Sequence, residues 1–350
     1  MNANPDQTER PGRRRFRRIL LLLALLVPAV IVLGLTWRCL TFLDTAVAPA
    51  GEIVVDIPPG SSLTGISNRL AAAGVVGDAA AFRLLARWRG VSGRIKAGEY
   101  LFRQPATPGQ VLDRLVAGDV RRYRFTVPEG FTLKQIAERF QKQGFGTTEA
   151  FLRAAADKRL LARYAPGAPS LEGYLFPETY TIDRAVTPKK LLVAMLEEFR
   201  RRLTPDIQAA ALRHGLNRHQ LVTLASIVQK EAGKKEEMPL IAAVYHNRLR
   251  RNMPLQADPT VIYGIRDFDG NLTRRDLATP TPWNTYTRSG LPPGPIASPG
   301  LDALRAAAEP AAADYLYFVA KGDGTHAFSR TLKEHNRLVR KYQLHRKGKP

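Results

Sequence analysis

Glu231 is the residue around which chemistry can be built. Between Asn217 and Ala232, Leu221, Leu224, Ala225, Ile227 and Val228 recur at helical spacing, which predicts a helix with one apolar face. Glu231 follows Ile227 by four residues, Val228 by three and Leu224 by seven, so it falls on that face at the C-terminal end. Gly233 is the expected stop. Burial disfavours an ionised carboxylate, and so does the negative end of the helix dipole. A carboxylic acid still protonated near neutrality is what glycosidic cleavage needs, because the leaving oxygen must take a proton. The competing reading is an exposed, frayed terminal glutamate among Lys230, Lys234 and Lys235. Spacing alone leans to that second reading.

Other chemistries have less behind them. No Gly-x-Ser-x-Gly elbow, His-Glu-x-x-His pair or Walker loop is present. The six histidines are not at metal-ligand spacing. His214 and His219 flank a helix start and are expected to cap or face solvent, while His326 and His335 fall in a late Gly-rich hairpin and helix. The single cysteine, Cys39, excludes an intrachain disulfide and a cysteine metal cage. No metal or organic cofactor is expected.

The elements that must position Glu231 lie on a chain of 350 residues, enough for about two domains. A net charge of +22 favours anionic partners without choosing among them. The N-terminus narrows the choice. Arg13, Arg14, Arg15, Arg17 and Arg18 precede an apolar run from Ile19 to Leu35. With its flanks this run approaches the ~20 residues of a spanning helix. The arginines predict that residues 1–18 stay cytoplasmic, 19–38 span the inner membrane once, and the rest is periplasmic. A cleaved signal peptide is the alternative, with only a poor site at Ala48-Pro49-Ala50. Export argues against a nucleic-acid partner, and no zinc-finger or basic-zipper pattern appears. The basic excess from Arg330 to Lys349 reads as a solvated, partly frayed helix.

After a linker from Thr45 to Gly51 comes an internal repeat. The stretch Ile57-Pro58-Pro59-Gly60-Ser61-Ser62-Leu63 is echoed seventy positions later by Val127-Pro128-Glu129-Gly130-Phe131-Thr132-Leu133. In each copy a strand enters a Pro-x-Gly turn, and Ser or Thr then caps a helix. Each also has a later strand candidate, Gly98–Phe102 in one and Gly173–Phe176 in the other. This order resembles the LysM module, which binds N-acetylglucosamine polymers; a spacer without sugar affinity is equally compatible. The fold class is therefore α+β: a spanning helix, a LysM-like module over 45–122, and a catalytic domain over 123–345 that includes a second strand–turn–helix unit at 123–180. Helices are expected from Leu191 to Leu203 and over the Glu231 segment, followed by Gly-, Pro- and aromatic-rich loops from Met253 to Pro299.

Ordered motifs then bring a resemblance into view. They are Leu171-Glu172-Gly173-Tyr174-Leu175-Phe176-Pro177-Glu178-Thr179-Tyr180, Leu224-Ala225-Ser226-Ile227-Val228-Gln229-Lys230-Glu231, Val244-Tyr245-His246-Asn247-Arg248-Leu249 and Leu255-Gln256-Ala257-Asp258-Pro259-Thr260-Val261-Ile262-Tyr263-Gly264. Asn284-Thr285-Tyr286, Gly290–Ile296, Gly324–Ser329 and Glu334-His335-Asn336 complete the series. Together they resemble the endolytic murein transglycosylases (YceG-like) over nearly the whole chain after the anchor. Gln229 and His246 depart from that pattern without touching the acid.

The resemblance implies that Glu231 is catalytic. It would protonate the oxygen between N-acetylmuramic acid and N-acetylglucosamine, then take the proton of the muramoyl C6 hydroxyl, closing a 1,6-anhydro ring. One carboxylate serves as acid and then base. The same resemblance makes Glu172, Tyr174, Asn247, Arg248, Gln256, Asp258, Tyr263, Asn284, Tyr286 and His326 candidates for holding substrate. Trp283 is a further aromatic that can face sugar. Each has a structural alternative, such as core packing, loop stapling or, for Asp258 and Glu172, pairing with Arg248. The run Leu291–Ile296 reads as a rigid cleft wall. Peptidoglycan strands, the membrane and penicillin-binding synthases are the implied partners. A non-catalytic peptidoglycan scaffold is the rival reading; it would keep the repeats without needing the acid. The topology is directly testable. A reporter fused after Pro350 should be active only outside the cytoplasm; cytoplasmic activity would sink both the topology and the substrate.

Overall fold

The N-terminal apolar run is one helix, α1 (Pro11–Asp44). Its Leu22–Asp44 part is long and apolar enough to cross a membrane, and none of that window is buried in protein. The helix passes residue 38, where the sequence placed the end of the span, because Leu40, Phe42 and Leu43 continue the apolar pattern. Thr36 and Thr41 return their hydroxyls to Val32 and Trp37 carbonyls, at 2.7 and 2.9 Å, so neither breaks it. The computed structural model describes residues 11–48 and 51–344. Residues 1–10 of the expected cytoplasmic stretch and residues 345–350 of the C-terminal basic run lie outside the described residues. The chain forms two compact units, Met1–Arg122 with Asp183–Ala185, and Tyr123–Ile182 with Val186–Pro350.

In the first unit β1 (Ile53–Ile57) is followed by α2 (Leu63–Ala72), α3 (Ala79–Trp88), β2 (Gly98–Phe102) and α4 (Pro108–Ala117). The two strands pair antiparallel, Val55 opposite Tyr100. Alternation turns Val55, Ile57, Tyr100 and Phe102 inward onto Leu70, Phe82, Leu112 and Leu115. The buried Tyr100 hydroxyl donates to the Lys96 carbonyl at 2.7 Å. Ser62, Asp78 and Thr107 each cap a helix.

The second unit opens with the repeat. β3 (Tyr123–Thr126) pairs antiparallel with β4 (Thr179–Ile182), and α5 (Leu133–Lys142), α6 (Thr148–Ala155) and α7 (Lys158–Tyr164) lie between them in sequence. Thr132 caps α5 as Ser62 caps α2, here within a reciprocal capping box with Gln135. The turn glycines Gly60 and Gly130 both take a positive φ, 78° and 76°. The strand expected at Gly173–Phe176 is a correction: that stretch is irregular and buried on all sides, and the strand starts at Thr179. Gly173 at φ +80° breaks the extended path, and Pro177 has no N–H for a ladder.

The rest is helical with a terminal hairpin: α8 (Pro188–Arg202), α9 (Pro205–Arg213), α10 (Arg218–Glu231), α11 (Met238–Arg250), α12 (Asp258–Gly264), α13 (Arg274–Ala278), α14 (Leu301–Ala308), β5 (Tyr317–Ala320), β6 (His326–Ser329) and α15 (Leu332–Val339). The sequence gives α10 one apolar face, yet Leu221 through Val228 are all buried. The small polar residues make this affordable: Thr223 and Ser226 donate to the His219 and Thr223 carbonyls. α9, α11, α12 and α14 pack around α10. Gly173 locks the preceding loop onto this helix. A Cβ there would sit 2.3 Å from Pro295 Cβ and 3.2 Å from Val222. Gly173→Ala should therefore destabilise the unit by about 2–4 kcal/mol, combining left-handed strain with overpacking. Urea unfolding of the variant checks this, and an unchanged midpoint would contradict the packing.

Candidate active site

Glu231 is the last residue of α10, with Ala232 already extended. Gly233 is not the left-handed stop that the sequence suggested, since its φ is not positive. It is needed for space: a Cβ there would lie 2.4 Å from the Gly324 carbonyl oxygen. The helix thus ends against the β5–β6 turn. The Glu231 residue is half-buried, and Oε1 accepts a hydrogen bond from the Tyr245 hydroxyl at 3.1 Å. Tyr245 is buried on α11 and held edge-on by Phe318 at 5.9 Å. Among the described residues no Lys or Arg nitrogen is paired with Glu231. Lys230 reaches the Gly130 carbonyl and Lys235 reaches Asp302 and Glu129.

That environment pushes the Glu231 carboxyl up to about 7. Burial is the main cause and the nearby negative charge of Asp258 adds to it, while the Tyr245 hydrogen bond and the Arg248 charge oppose it. The frayed, exposed alternative does not match this geometry. Asp258, at the start of α12, accepts from the Tyr286 hydroxyl and is exposed. Tyr286, itself half-buried, senses both Asp258 and Glu231.

Five residues after Asp258 on α12, Tyr263 donates to Glu172 Oε2 at 3.2 Å and packs edge-on against Trp283 at 4.6 Å. Glu172 is buried and accepts the Leu133 N–H at 3.0 and 3.1 Å, holding the first turn of α5. Burial raises its carboxyl to about 7 as well. Glu172 therefore ties α5 to α12, and it does not pair with Arg248. Glu231, Asp258 and Tyr286 form one neighbourhood, and α12 connects it to Glu172, Tyr263 and Trp283.

Several candidates are placed otherwise. Tyr174 is 1% exposed, so its ring does not face a ligand; its hydroxyl meets His219 Nδ1 at 2.9 Å. His219 neither caps nor faces solvent freely, since its Nε2 also contacts the Pro293 carbonyl at 2.8 Å. Asn284 is fully buried, and its amide donates to the Asp276, Leu277 and Thr279 carbonyls. Asn247 holds the Ala313 and Tyr315 carbonyls. Arg248 is buried and donates to the Leu316 and Leu255 carbonyls, both at 2.7 Å, and more weakly to Gln256 Oε1. His326 pairs with Glu237 through Nδ1 at 2.8 Å and its backbone N–H at 2.9 Å, fixing the hairpin to the turn after Glu231. Gln256 is exposed, at a left-handed φ of 48° that is strained for a non-glycine residue. Pro292, Gly294, Pro295 and Ile296 form a buried wall, and the Ile296 N–H donates to Ser226 Oγ at 3.0 Å.

Tyr245 and Glu237 were not singled out by sequence reasoning. Tyr245 was visible only as part of the motif Val244–Leu249, and no local spacing marks a tyrosine that meets a carboxyl fourteen residues earlier. Among the described residues no group of three His, Cys, Asp or Glu side chains can hold a metal ion.

The two raised carboxyls fix how stability depends on pH. Each keeps in the folded state a proton that the unfolded chain releases near its ordinary 4.5. Their contribution is thus complete below pH 4.5 and is lost as pH rises through about 7. Urea unfolding free energy should fall across that window, and Glu172→Gln should flatten the decline. An identical slope in variant and parent would show that Glu172 is ionised in the folded protein.

Comparison with known proteins agrees with these motifs. The family model described as the YceG-like family matches residues 55–341. The chain is 31% identical over 303 residues to the endolytic murein transglycosylase of Bacillus subtilis (strain 168), covering 82% of this chain and 84% of that one. It is 33% identical over 319 residues to the endolytic murein transglycosylase of Streptococcus pneumoniae serotype 2 (strain D39 / NCTC 7466), covering 82% of this chain and 58% of that one. A crystal structure of a YceG-like protein from Listeria monocytogenes superposes with a TM-score of 0.58 at 32% identity, covering 82% of this chain and 98% of that chain. The chain belongs to the YceG-like family.

Proposed function

We propose that this protein is an endolytic murein transglycosylase that cuts within peptidoglycan glycan strands. The observation that carries the proposal is Glu231, a half-buried carboxyl raised to about 7 with no cationic partner among the described residues. At neutral pH much of it is protonated and able to give a proton to the glycosidic oxygen between N-acetylmuramic acid and N-acetylglucosamine. Tyr245 occupies Oε1, which leaves Oε2 to face the substrate. Once the bond breaks, the Glu231 carboxylate takes the proton of the muramoyl C6 hydroxyl, whose oxygen closes onto C1. The product end is 1,6-anhydromuramoyl, and no water is consumed. Asp258 holds its charge close enough to keep Glu231 from ionising early, and Tyr286 fixes Asp258. Tyr263, Trp283, Tyr286, Gln256 and Asp258 are among the candidates left with surface to meet a sugar.

The same reading places the enzyme at its substrate's source. α1 spans the inner membrane with its basic end in the cytoplasm, and the rest of the first unit and the whole second unit lie in the periplasm. There the enzyme ends the growth of nascent strands, working beside penicillin-binding synthases. The βααβ order of β1, α2, α3 and β2 supports a LysM-like role for the first unit.

Glu231→Gln keeps size and neutral charge but cannot return a proton. It should fold, still bind glycan, and lose about 10²–10⁴-fold in rate. The check is digestion of uncrosslinked strands followed by mass spectrometry of the ends. Anhydro ends at the parent rate from the variant would remove Glu231 from the role. Reducing muramic acid ends from the parent would make the enzyme a hydrolase.

A further inference from the structure

Among the described residues, nothing covers the outer apolar face of the helix α3. Its inner residues Phe82, Leu85 and Ala86 are buried in the first unit. Its outer face carries Ala80, Leu84 and Trp88 at positions i, i+4 and i+8, with Arg87 beside them. Leu84 is 61% exposed and Trp88 78%. A helix apolar on both sides is normally buried on both sides. Beside it lies a concavity of about 790 Å³, lined by Phe42, Leu43, Val47, Leu84, Leu85 and Trp88 among others. Phe42 and Leu43 belong to the end of α1, so the outer face of α3 and the end of α1 share one apolar groove. The Arg38–Asp78 pair at 3.2 Å ties the two helices at its edge.

The geometry of α1 says what covers this groove. The 23 residues of Leu22–Asp44 span about 34 Å at ~1.5 Å per residue, against a hydrocarbon core of about 30 Å. Residues 41–44 then lie at the outer boundary of the bilayer, and the groove they line lies there with them. Tryptophan beside leucine and arginine is the side-chain chemistry of that boundary. We infer that α3 lies on the outer leaflet of the membrane, with Leu84 and Trp88 seated among the lipid headgroups and upper acyl chains. The first unit therefore rests on the bilayer that anchors it. This rests on the reading of α1 as a membrane span.

The chain has three tryptophans, Trp37, Trp88 and Trp283, which makes the test direct. The full chain is reconstituted into vesicles of phosphatidylethanolamine and phosphatidylglycerol whose acyl chains carry bromine at a shallow or a deep position. In the Trp37→Phe, Trp283→Phe protein, Trp88 should emit blue of its value in water. Shallow bromine should quench it more than deep bromine. Adding Leu84→Glu should reduce that quenching. In the Trp88→Phe, Trp283→Phe protein, Trp37 reports the span itself. Quenched Trp37 with unquenched, water-like Trp88 would overturn the docking and leave the span intact. If neither is quenched, the span and the docking both fall. A blue but unquenched Trp88 whose emission follows protein concentration would assign the groove to a second copy and overturn the lipid assignment.

Discussion

The desolvation of one carboxyl, Glu231, is the constraint on which the rest of the second unit depends. An ionisable group at a helix end ordinarily reaches water and titrates as it would in a peptide. Here the helix that carries it is buried for eight consecutive residues, and its last turn runs into the β5–β6 turn, where only Gly233 fits beside the Gly324 carbonyl. The carboxyl has a phenol, not a cation, as its partner. In a chain of net charge +22, leaving this one group without an ion pair among the described residues is a specific arrangement. Lys235 is drawn off by Asp302 and Glu129, and Arg248 by backbone carbonyls.

Around that point the polar residues work mainly as ties. α12 bears on both carboxyls, through Asp258 near Glu231 and Tyr263 on Glu172. Arg248 and Asn247 each hold two carbonyls of irregular chain, and Asn284 holds two carbonyls of α13 and that of Thr279 just after it. Long loops without regular hydrogen bonding can be buried only when side chains take up their backbone groups. A site built on such loops is therefore surrounded by motif residues whose task is to hold carbonyls in place. His326 and Glu237 serve the same end, joining the last hairpin to the turn after the acid.

Much of this was legible in the sequence where the signal is local. The α10 span, the matched caps Ser62 and Thr132, and the strand Gly98–Phe102 follow from spacing and capping chemistry. Glu231 emerged only when helical periodicity was joined to an ordered motif, since periodicity alone leaned towards an exposed residue. What was not legible depends on partners distant in sequence. Tyr174 looked like a sugar platform, but its hydroxyl is taken by His219, forty-five residues on. Gly173 opened an expected strand, but contact with Pro295 fixes it in a turn. Gly233 looked like a cap, and its reason is the approach of Gly324. No window of one sequence contains those contacts.

The most direct measurement is the titration of the Glu231 carboxyl itself. The full chain, labelled with carbon-13 at the glutamate side-chain carboxyl, is followed by NMR from pH 4 to 9, and the Glu231→Gln protein assigns the resonance by its loss. A midpoint near 7, the value its burial gives, is the predicted result. A midpoint near the ordinary 4.5 would mean that the carboxyl is ionised and solvated at neutral pH, and would contradict the account of Glu231 as a protonated acid.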